Sequence, residues 1–359
     1  MAYDKFAAVD SSTLLFPPTV RANLARVSPN YIINGAFEIN QRAFTTLPYG
    51  GYGLDRWAAG FSGGTYSQSV QAFTAGSGVI PNYEPQNFYR IVTSGQSAAS
   101  DYAQFRQPIE DVRTLAGQVA TVSFWAKANS GTPKVAVELQ QGFGSGGSPS
   151  SQVNFYAGQV TLTTSWARYS LTFTVPSISG KTIGTTANTS SLTVAPFVSA
   201  GSDFNSRTGS IGAQNNTFDF WGVQVEAGAV ATPFRRNANS LQGELAACQR
   251  YYYRKSNAGV GSTYSAMNVF GNAFNTTQGE LEYVPPVPMR TNPTSVEFSA
   301  IALNDSLSTI GITGISLTVP GKDGGLVVIT TGGTLTQFRN YRVIQNNNNA
   351  GYIGFSAEL

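Results

Sequence analysis

A mostly-β chain is what this sequence predicts: two sandwich units joined by a short helix, with an N-terminal arm ahead of them. Three observations carry that expectation. Apolar and polar residues alternate with period two over most of residues 31–359, the pattern of strands that bury one face. Gly, Ser, Thr and Asn gather between those stretches, as turns between short strands require. Only 11% of the 359 residues are charged, against roughly 25% in an ordinary soluble domain, so the surface consists largely of neutral hydroxyls and amides. At about 150 residues per domain, the length accommodates two or three cores.

The same counts exclude several functions. The chain has no histidine, which removes Ser-His-Asp and Cys-His catalysis and most zinc and copper sites. Its one cysteine, Cys248, permits neither an intrachain disulfide nor a four-thiolate cage. A net charge of +3 from scattered cations gives no nucleic-acid footprint. Met1 to Val27 lacks a charged start followed by an apolar run, and no uncharged apolar stretch approaches the ~18 residues a bilayer needs. Neither a leader nor membrane insertion is expected.

Residues 1–30 read as an extended arm with a short helix. Phe16-Pro17-Pro18-Thr19 precedes Val20, Leu24 and Val27 at i, i+4 and i+7, and proline suits a first helical turn because its missing N–H has no partner there. A loose tail is the alternative. The apolar Leu14, Leu15 and Phe16 argue against it. In residues 31–237, Val122, Phe124 and Ala126 fall on one strand face, Val135, Val137 and Leu139 on another, and Tyr169, Leu171, Phe173 and Val175 on a third. A further strand spans Phe218 to Val225, and 142–151 and 180–191 read as loops. Several short strands with turns between them predict a sandwich.

Residues 238–255 break the pattern. Leu241, Leu245, Cys248 and Tyr252 lie at i, i+4, i+7 and i+11 behind Asn239 and Ser240, either of which can cap a helix. The spacing fits a coiled-coil seam. With only about two heptads, an amphipathic helix lying on a domain is the simpler reading. Period-two strands resume in 256–359, with Glu280–Tyr283, Thr294–Ala302, Ile315–Val319, Leu326–Thr330 and Tyr352 onward.

Particular motifs then resemble a bacteriophage tail-fibre and receptor-binding family. They are Asn34-Gly35-Ala36-Phe37-Glu38-Ile39-Asn40-Gln41-Arg42, Leu54-Asp55-Arg56-Trp57, Val122-Ser123-Phe124-Trp125-Ala126-Lys127, and Trp221-Gly222-Val223-Gln224-Val225-Glu226-Ala227-Gly228 with Ala231-Thr232-Pro233-Phe234. Glu244-Leu245-Ala246-Ala247-Cys248-Gln249-Arg250-Tyr251-Tyr252 and Pro288-Met289-Arg290 with Pro293 complete the series. The matches span about residues 31–295 in one order. The resemblance implies a jelly-roll domain similar to carbohydrate-binding modules, a helix at a trimer interface carrying Leu241, Leu245, Cys248 and Tyr252, and a C-terminal tip. It implies a homotrimer on a virion, made in the host cytoplasm, whose arm (Leu14, Leu15, Phe16, Val20, Leu24) holds other virion proteins. Proteins of this kind also occur as capsid decorations and head fibres.

The motif residues also have plain structural readings. Asp55 and Arg56, adjacent on a strand, would point to opposite faces, not pair with each other, and each bond backbone. Trp57 and Trp125 read as core or half-buried anchors, Pro233 as a strand stop, and Arg250 as a subunit contact or a solvated side chain. Sugar binding needs exposed aromatic faces and a few amides. In the C-terminal unit Tyr264, Phe270, Phe274, Tyr341, Asn347, Asn348 and Tyr352 meet that description, against the alternative that the rings are core and the asparagines a turn. Glu280 and Glu282 share a strand face about 7 Å apart at two rises of 3.3 Å, a separation glycoside hydrolysis could use. No short β-helix repeat accompanies them. The jelly-roll modules in question often hold calcium. Here no Asp-x-Asp-x-Asp-Gly loop appears, and no metal ligand or cofactor is assigned. The expected function is attachment to a host surface glycan by binding rather than chemistry; a capsid or baseplate decoration without its own receptor is the alternative.

Overall fold

The computed structural model describes residues 29–47, 51–257 and 262–359. The arm residues Leu14, Leu15, Phe16, Val20 and Leu24 lie outside them. The fold is nearly all β, as the alternation predicts. Its first unit holds β1 (Thr46–Leu47), β2 (Gly51–Tyr52), β3 (Ala58–Ser62), β4 (Thr65–Ala72), β5 (Asn87–Ser94), β6 (Tyr102–Ile109), β7 (Val119–Ala128), β8 (Lys134–Gly142), β9 (Val153–Thr161), β10 (Ala167–Thr174), β11 (Ser191–Ala200) and β12 (Thr217–Ala227). Two six-stranded antiparallel sheets face each other, in the orders β1-β4-β5-β12-β7-β10 and β2-β3-β6-β11-β8-β9. This is a jelly-roll sandwich. The alternating residues fill its interior: Val122, Phe124 and Ala126 from β7, Val135, Val137 and Leu139 from β8, and Phe218, Phe220, Val223 and Val225 from β12.

One bulge decides what the outer face of the first sheet carries. Strand β12 slips register against β7 between Trp221 and Gln224, and Gly222 takes φ +63° there, a backbone conformation in which glycine meets no Cβ penalty. The extra residue reverses the parity of the strand. Phe218 and Phe220 point inward before the bulge and Val223 and Val225 after it, leaving Asp219 and Trp221 outward on one side and Gln224 and Glu226 on the other.

The second unit follows with β13 (Tyr252–Ser256), β14 (Ala266–Ala273), β15 (Gln278–Tyr283), β16 (Ser295–Ser299), β17 (Ile301–Asn304), β18 (Thr309–Val319), β19 (Gly325–Thr331), β20 (Asn340–Gln345) and β21 (Tyr352–Ser356). Its larger layer closes on itself as a six-stranded barrel, β14-β15-β19-β18-β17-β20, and β13-β21-β16 form a three-stranded sheet beside it. Met267, Leu281, Val327, Ile329 and Val343 share one core with Ile353 and Phe355 of the small sheet. Closing the barrel removes sheet edges that an open sandwich would leave unpaired.

The helix between the units is shorter than its spacing predicts. It spans Leu241–Gln249, with the Ser240 hydroxyl accepting from the Gly243 N–H at 3.0 Å, a side-chain N-cap. Tyr252 is not on it: the chain turns at Arg250 and Tyr251, and Tyr252 opens β13, paired with Ser356. Pairing with β21 outcompetes a fourth helical turn. The proposed seam is corrected accordingly. Cys248 and Tyr252 are buried within the chain itself, Leu245 is half-buried, and Leu241 alone is well exposed. Burial, with Asp55 and Glu244 adding to it, pushes the Cys248 thiol well above its ordinary value. The native protein is therefore expected to leave a disulfide reagent such as DTNB unreacted, its thiol appearing only on unfolding; rapid native reaction would contradict this placement.

The helix and β13 tie the two units together. The Asn34 N–H donates to the Glu244 carboxylate, the Gln41 side-chain amide donates to the Tyr252 carbonyl at 2.7 Å, and Arg254 donates to the Arg42 carbonyl. The chain's last residues fold back into the same joint, with Glu358 pairing with Arg56 and, at 3.6 Å, with Arg42, while the Tyr52 hydroxyl donates to the Leu359 carbonyl. Arg56 also stacks on the Tyr251 ring at 3.4 Å and Arg42 on Tyr252 at 3.6 Å. Asp55 and Arg56 indeed do not pair with each other, although they lie in a turn rather than on a strand, and Arg56 has φ +70°. Asp55 accepts from both the backbone and side-chain amides of Gln41 at 2.6 Å each. Arg250 pairs with Glu110 of its own chain at 2.9 Å. Among the described residues, no helix is long and apolar enough to cross a membrane.

Candidate functional site

The outer face of the β1-β4-β5-β12-β7-β10 sheet carries a cluster of aromatic side chains that the core does not use. Residues that alternate away from the core, Trp125 on β7, Trp221 on β12 and Phe88 on β5, point to this side. Cross-strand register sets Trp221 opposite Trp125 and Trp125 opposite Arg168. Two connections fold over them. The 73–86 loop brings Ile80, Pro81, Asn82 and Tyr83, and the segment after β12 brings Pro233 and Phe234; together they wall a cleft of about 370 Å³. Tyr83 and Phe234 lie 4.7 and 4.9 Å from Trp221, ring centre to ring centre. A Cβ on Gly222 would meet both Phe234 and Trp125 at 3.5 Å, so the bulge glycine forms the floor between two walls.

The polar residues of the motifs hold those walls. Gln224 accepts from the Arg235 N–H at 2.8 Å, and Glu226 accepts from the Thr232 N–H at 3.1 Å and from its hydroxyl. They thereby pin the segment that carries Pro233 and Phe234. Arg168 donates to Ser123 Oγ at 3.1 Å and to the Thr232 carbonyl. Arg236 pairs with Glu38 and reaches over the Tyr83 ring at 5.8 Å. Burial, aided by Glu38, raises the Tyr83 hydroxyl above its ordinary pKa, with Arg236 opposing. Further along the face, Phe73, Phe88 and Trp166 cluster at 4.9–5.5 Å. Arg90 grips Asp219 through two bonds of 2.7 and 2.9 Å, and Lys127 lies 3.6 Å from the same carboxylate.

Aromatic walls with a few fixed polar groups are what a saccharide site requires. Stacking on the apolar faces of sugar rings supplies energy, and hydrogen bonds to hydroxyls supply orientation. The sequence carries a signal for this site. Trp125 alternates with Phe124, so one of the two must face away from the core, and a tryptophan on the solvent side of a strand wants a partner. Pro233, expected to end the last strand, instead stands six residues past the end of β12 and lines the cleft.

The C-terminal residues singled out for binding do not form one site. Tyr341 is corrected to barrel core: it is buried, and its hydroxyl accepts from the Thr336 N–H at 2.9 Å. Tyr264 is exposed on a segment beside the asparagine loop, where the Asn348 N–H donates to the Thr263 carbonyl at 3.1 Å. Asn347 is exposed with φ +49°, and the Asn348 side chain accepts from the Ala350 N–H at 2.8 Å, a turn role. Phe270, 61% exposed, lines a separate cleft of about 160 Å³ with Lys255 and Glu282. Phe274 is half-buried, and Tyr352 is half-buried beneath Arg254, 3.5 Å from its ring, beside the joint. Glu280 and Glu282 occupy the outward side of β15, alternating with the buried Gly279, Leu281 and Tyr283. Among the described residues, no cluster of three or more acidic or cysteine groups suited to a metal ion occurs.

Comparison with known proteins finds a match to part of this β unit. Residues 30–191 match the family model described as a carbohydrate binding domain. Six of the cleft residues, from Ile80 to Arg168, fall within that span, while Trp221, Pro233 and Phe234 lie beyond it. No curated protein matches the chain. Solved structures similar to part of it include the enzymatically active domain of Bacteriophage CBA120 tailspike protein 4, at 11% identity and TM-score 0.32 over 55% of this chain. Another, a family 4 carbohydrate-binding module, has 18% identity and TM-score 0.29 over 54% of this chain. A third is the Clostridium thermocellum xylanase 10B fragment of a family 22 module and catalytic module complexed with xylohexaose, at 12% identity and TM-score 0.33 over 57%. The alignment spans 21% of the tailspike chain and 30% of the xylanase chain, but 98% of the family 4 module. At these scores none of the three carries a function across.

Proposed function

We propose that this chain is a non-enzymatic virion fibre protein that attaches a particle to its host by holding a surface saccharide in the aromatic cleft of the jelly roll. The observation that carries the proposal is the cleft itself: Trp125, Tyr83, Trp221 and Phe234 around an arginine, on a domain whose residues 30–191 match a carbohydrate binding domain. The ordered motifs that resemble phage fibre proteins support the virion setting. Binding of the full-length chain to an array of host-envelope saccharides tests it, and an array without a hit overturns it. Purified protein is expected to leave polysaccharide viscosity unchanged, because no carboxylate is among the residues that line the aromatic cleft.

Three copies would convert weak contacts into avidity, since linked sites raise the effective concentration of the second and third contacts. The exposed Leu241 at the start of the helix offers an apolar contact between copies. Light scattering is expected to return three times the chain mass; the mass of a single chain would refute the trimer. A second reading, a structural decoration without a receptor, is favoured by one observation: several of the motif residues, among them Asn34, Gln41, Arg56, Glu244 and Arg290, build the joint between the units rather than the cleft. Electron microscopy of particles labelled against the chain distinguishes a capsid location from a tail location.

A further inference from the structure

The charge lining the cleft is one-sided. Among the described residues that line it, Arg168 alone is charged, and no carboxylate does. The other arginines around it are matched: Arg90 with Asp219, Arg235 with Glu226 and Arg236 with Glu38. Arg168 enters none of the ion pairs of the described residues. What holds it are two neutral oxygens, Ser123 Oγ and the Thr232 carbonyl, both reached through a single nitrogen, Nη2. Glu226 acts on it through space, but that carboxylate is already engaged by Thr232 and Arg235.

A half-buried guanidinium held by neutral acceptors is an unsatisfied charge. Burial lowers its pKa from the ordinary value and Glu226 only partly opposes this, as expected of a cation without its own counter-ion. Guanidinium presents a planar fork of donors that matches a carboxylate with two parallel bonds, and such charge-assisted pairs gain strength where water is excluded. The indole N–H of Trp221, in the same lining, also has no hydrogen-bond partner. A ligand in this cleft therefore meets aromatic faces and a cation, and no competing negative charge.

We propose that Arg168 makes the cleft selective for acidic saccharides, polymers with sugar residues that bear a carboxylate, such as hexuronic acids. This rests on the reading of the cleft as a saccharide site. It assigns the guanidinium to the sugar carboxylate, with the ring stacked between Trp125 and the Tyr83–Phe234 side. Arg168 is the discriminating group because the other cations around the cleft, Arg90, Lys127, Arg235 and Arg236, stand against carboxylates and outside the lining.

The test compares full-length protein binding to a panel of oligouronides and to the same oligosaccharides after reduction of their carboxyls to alcohols. The acidic forms are expected to bind about tenfold tighter at low salt, the advantage shrinking as ionic strength rises. In Arg168→Gln the two forms are expected to come within about twofold of each other, and Arg168→Lys to retain an intermediate preference, because a lysine keeps the charge but loses the fork. Thermal melts of both variants establish that they are folded. Equal wild-type binding of the two forms, or a preference that survives in a folded Arg168→Gln, overturns the role of Arg168 while leaving the saccharide reading in place. Binding of neither form, in a protein that also binds no neutral saccharide, overturns both.

Discussion

Replacing Arg56 by methionine is expected to cost about 3–5 kcal/mol of stability, the range for removing one partner of a buried ion pair, and to lower the melting temperature on the order of 10 °C. The size of the effect follows from what Arg56 leaves behind. Its side chain is 1% exposed and that of Glu358 is 6% exposed, so the carboxylate would remain largely out of water, its remaining ion pair among the described residues being the longer one to Arg42 at 3.6 Å. The Pro108 carbonyl would lose its donor, and the Tyr251 ring its cation. Burial alone would lower the guanidinium pKa, yet Glu358, with Tyr251, Tyr52 and Cys248, carries the net shift upward; the pair is the counterweight to its own desolvation. The double variant Arg56→Met with Glu358→Gln should recover part of the loss, since no carboxylate is then stranded. Calorimetry checks both. A single variant that melts with the wild type would show that the joint does not depend on this pair.

Trp125→Ala is expected to leave the melting temperature nearly unchanged while weakening saccharide binding about thirtyfold, corresponding to about 2 kcal/mol for an aromatic anchor in a binding site. The two effects separate because the ring stands on the outer side of β7. The core neighbours Phe124 and Ala126 point the other way and keep their packing. On the neighbouring strand, Trp221 is fully buried, so its truncation would mix folding with binding; Trp125, only partly buried, isolates the contact. Isothermal titration with the bound saccharide measures the change, and an unaltered Kd would remove Trp125 from the site.

The parts of the fold legible in the sequence are those written in local alternation. Strand faces such as Val122, Phe124 and Ala126 follow from period two alone, and Ser240 announces the helix start by its side chain. The helix end is not local: Tyr252 leaves the helical spacing because it pairs with Ser356, 104 positions away. Nor is the joint, where Arg56 meets Glu358 at a separation of 302 residues. Barrel closure depends on which strands become neighbours, and alternation says nothing of that. The cleft shares no residue with the binding candidates that the sequence offers. Trp125 reads from the sequence as a core or half-buried anchor, although its alternation with Phe124 sends it outward; the parity switch at Gly222 that sends Trp221 outward, and the walls from 73–86 and 231–234, come from chain paths that no window of sequence contains. The C-terminal aromatics drew attention by composition, and composition cannot tell Tyr341 in the barrel core from Phe270 on its surface.

All four tryptophans of the chain lie in the jelly roll: Trp57 in its core, and Trp125, Trp166 and Trp221 on the outer face of one sheet. The C-terminal unit has none. Intrinsic tryptophan fluorescence, followed during a saccharide titration whose binding is measured in parallel by calorimetry, therefore reports directly on which unit binds. The cleft predicts an emission change that saturates with the calorimetric isotherm; heat of binding with no change in tryptophan emission would place the ligand elsewhere and contradict it.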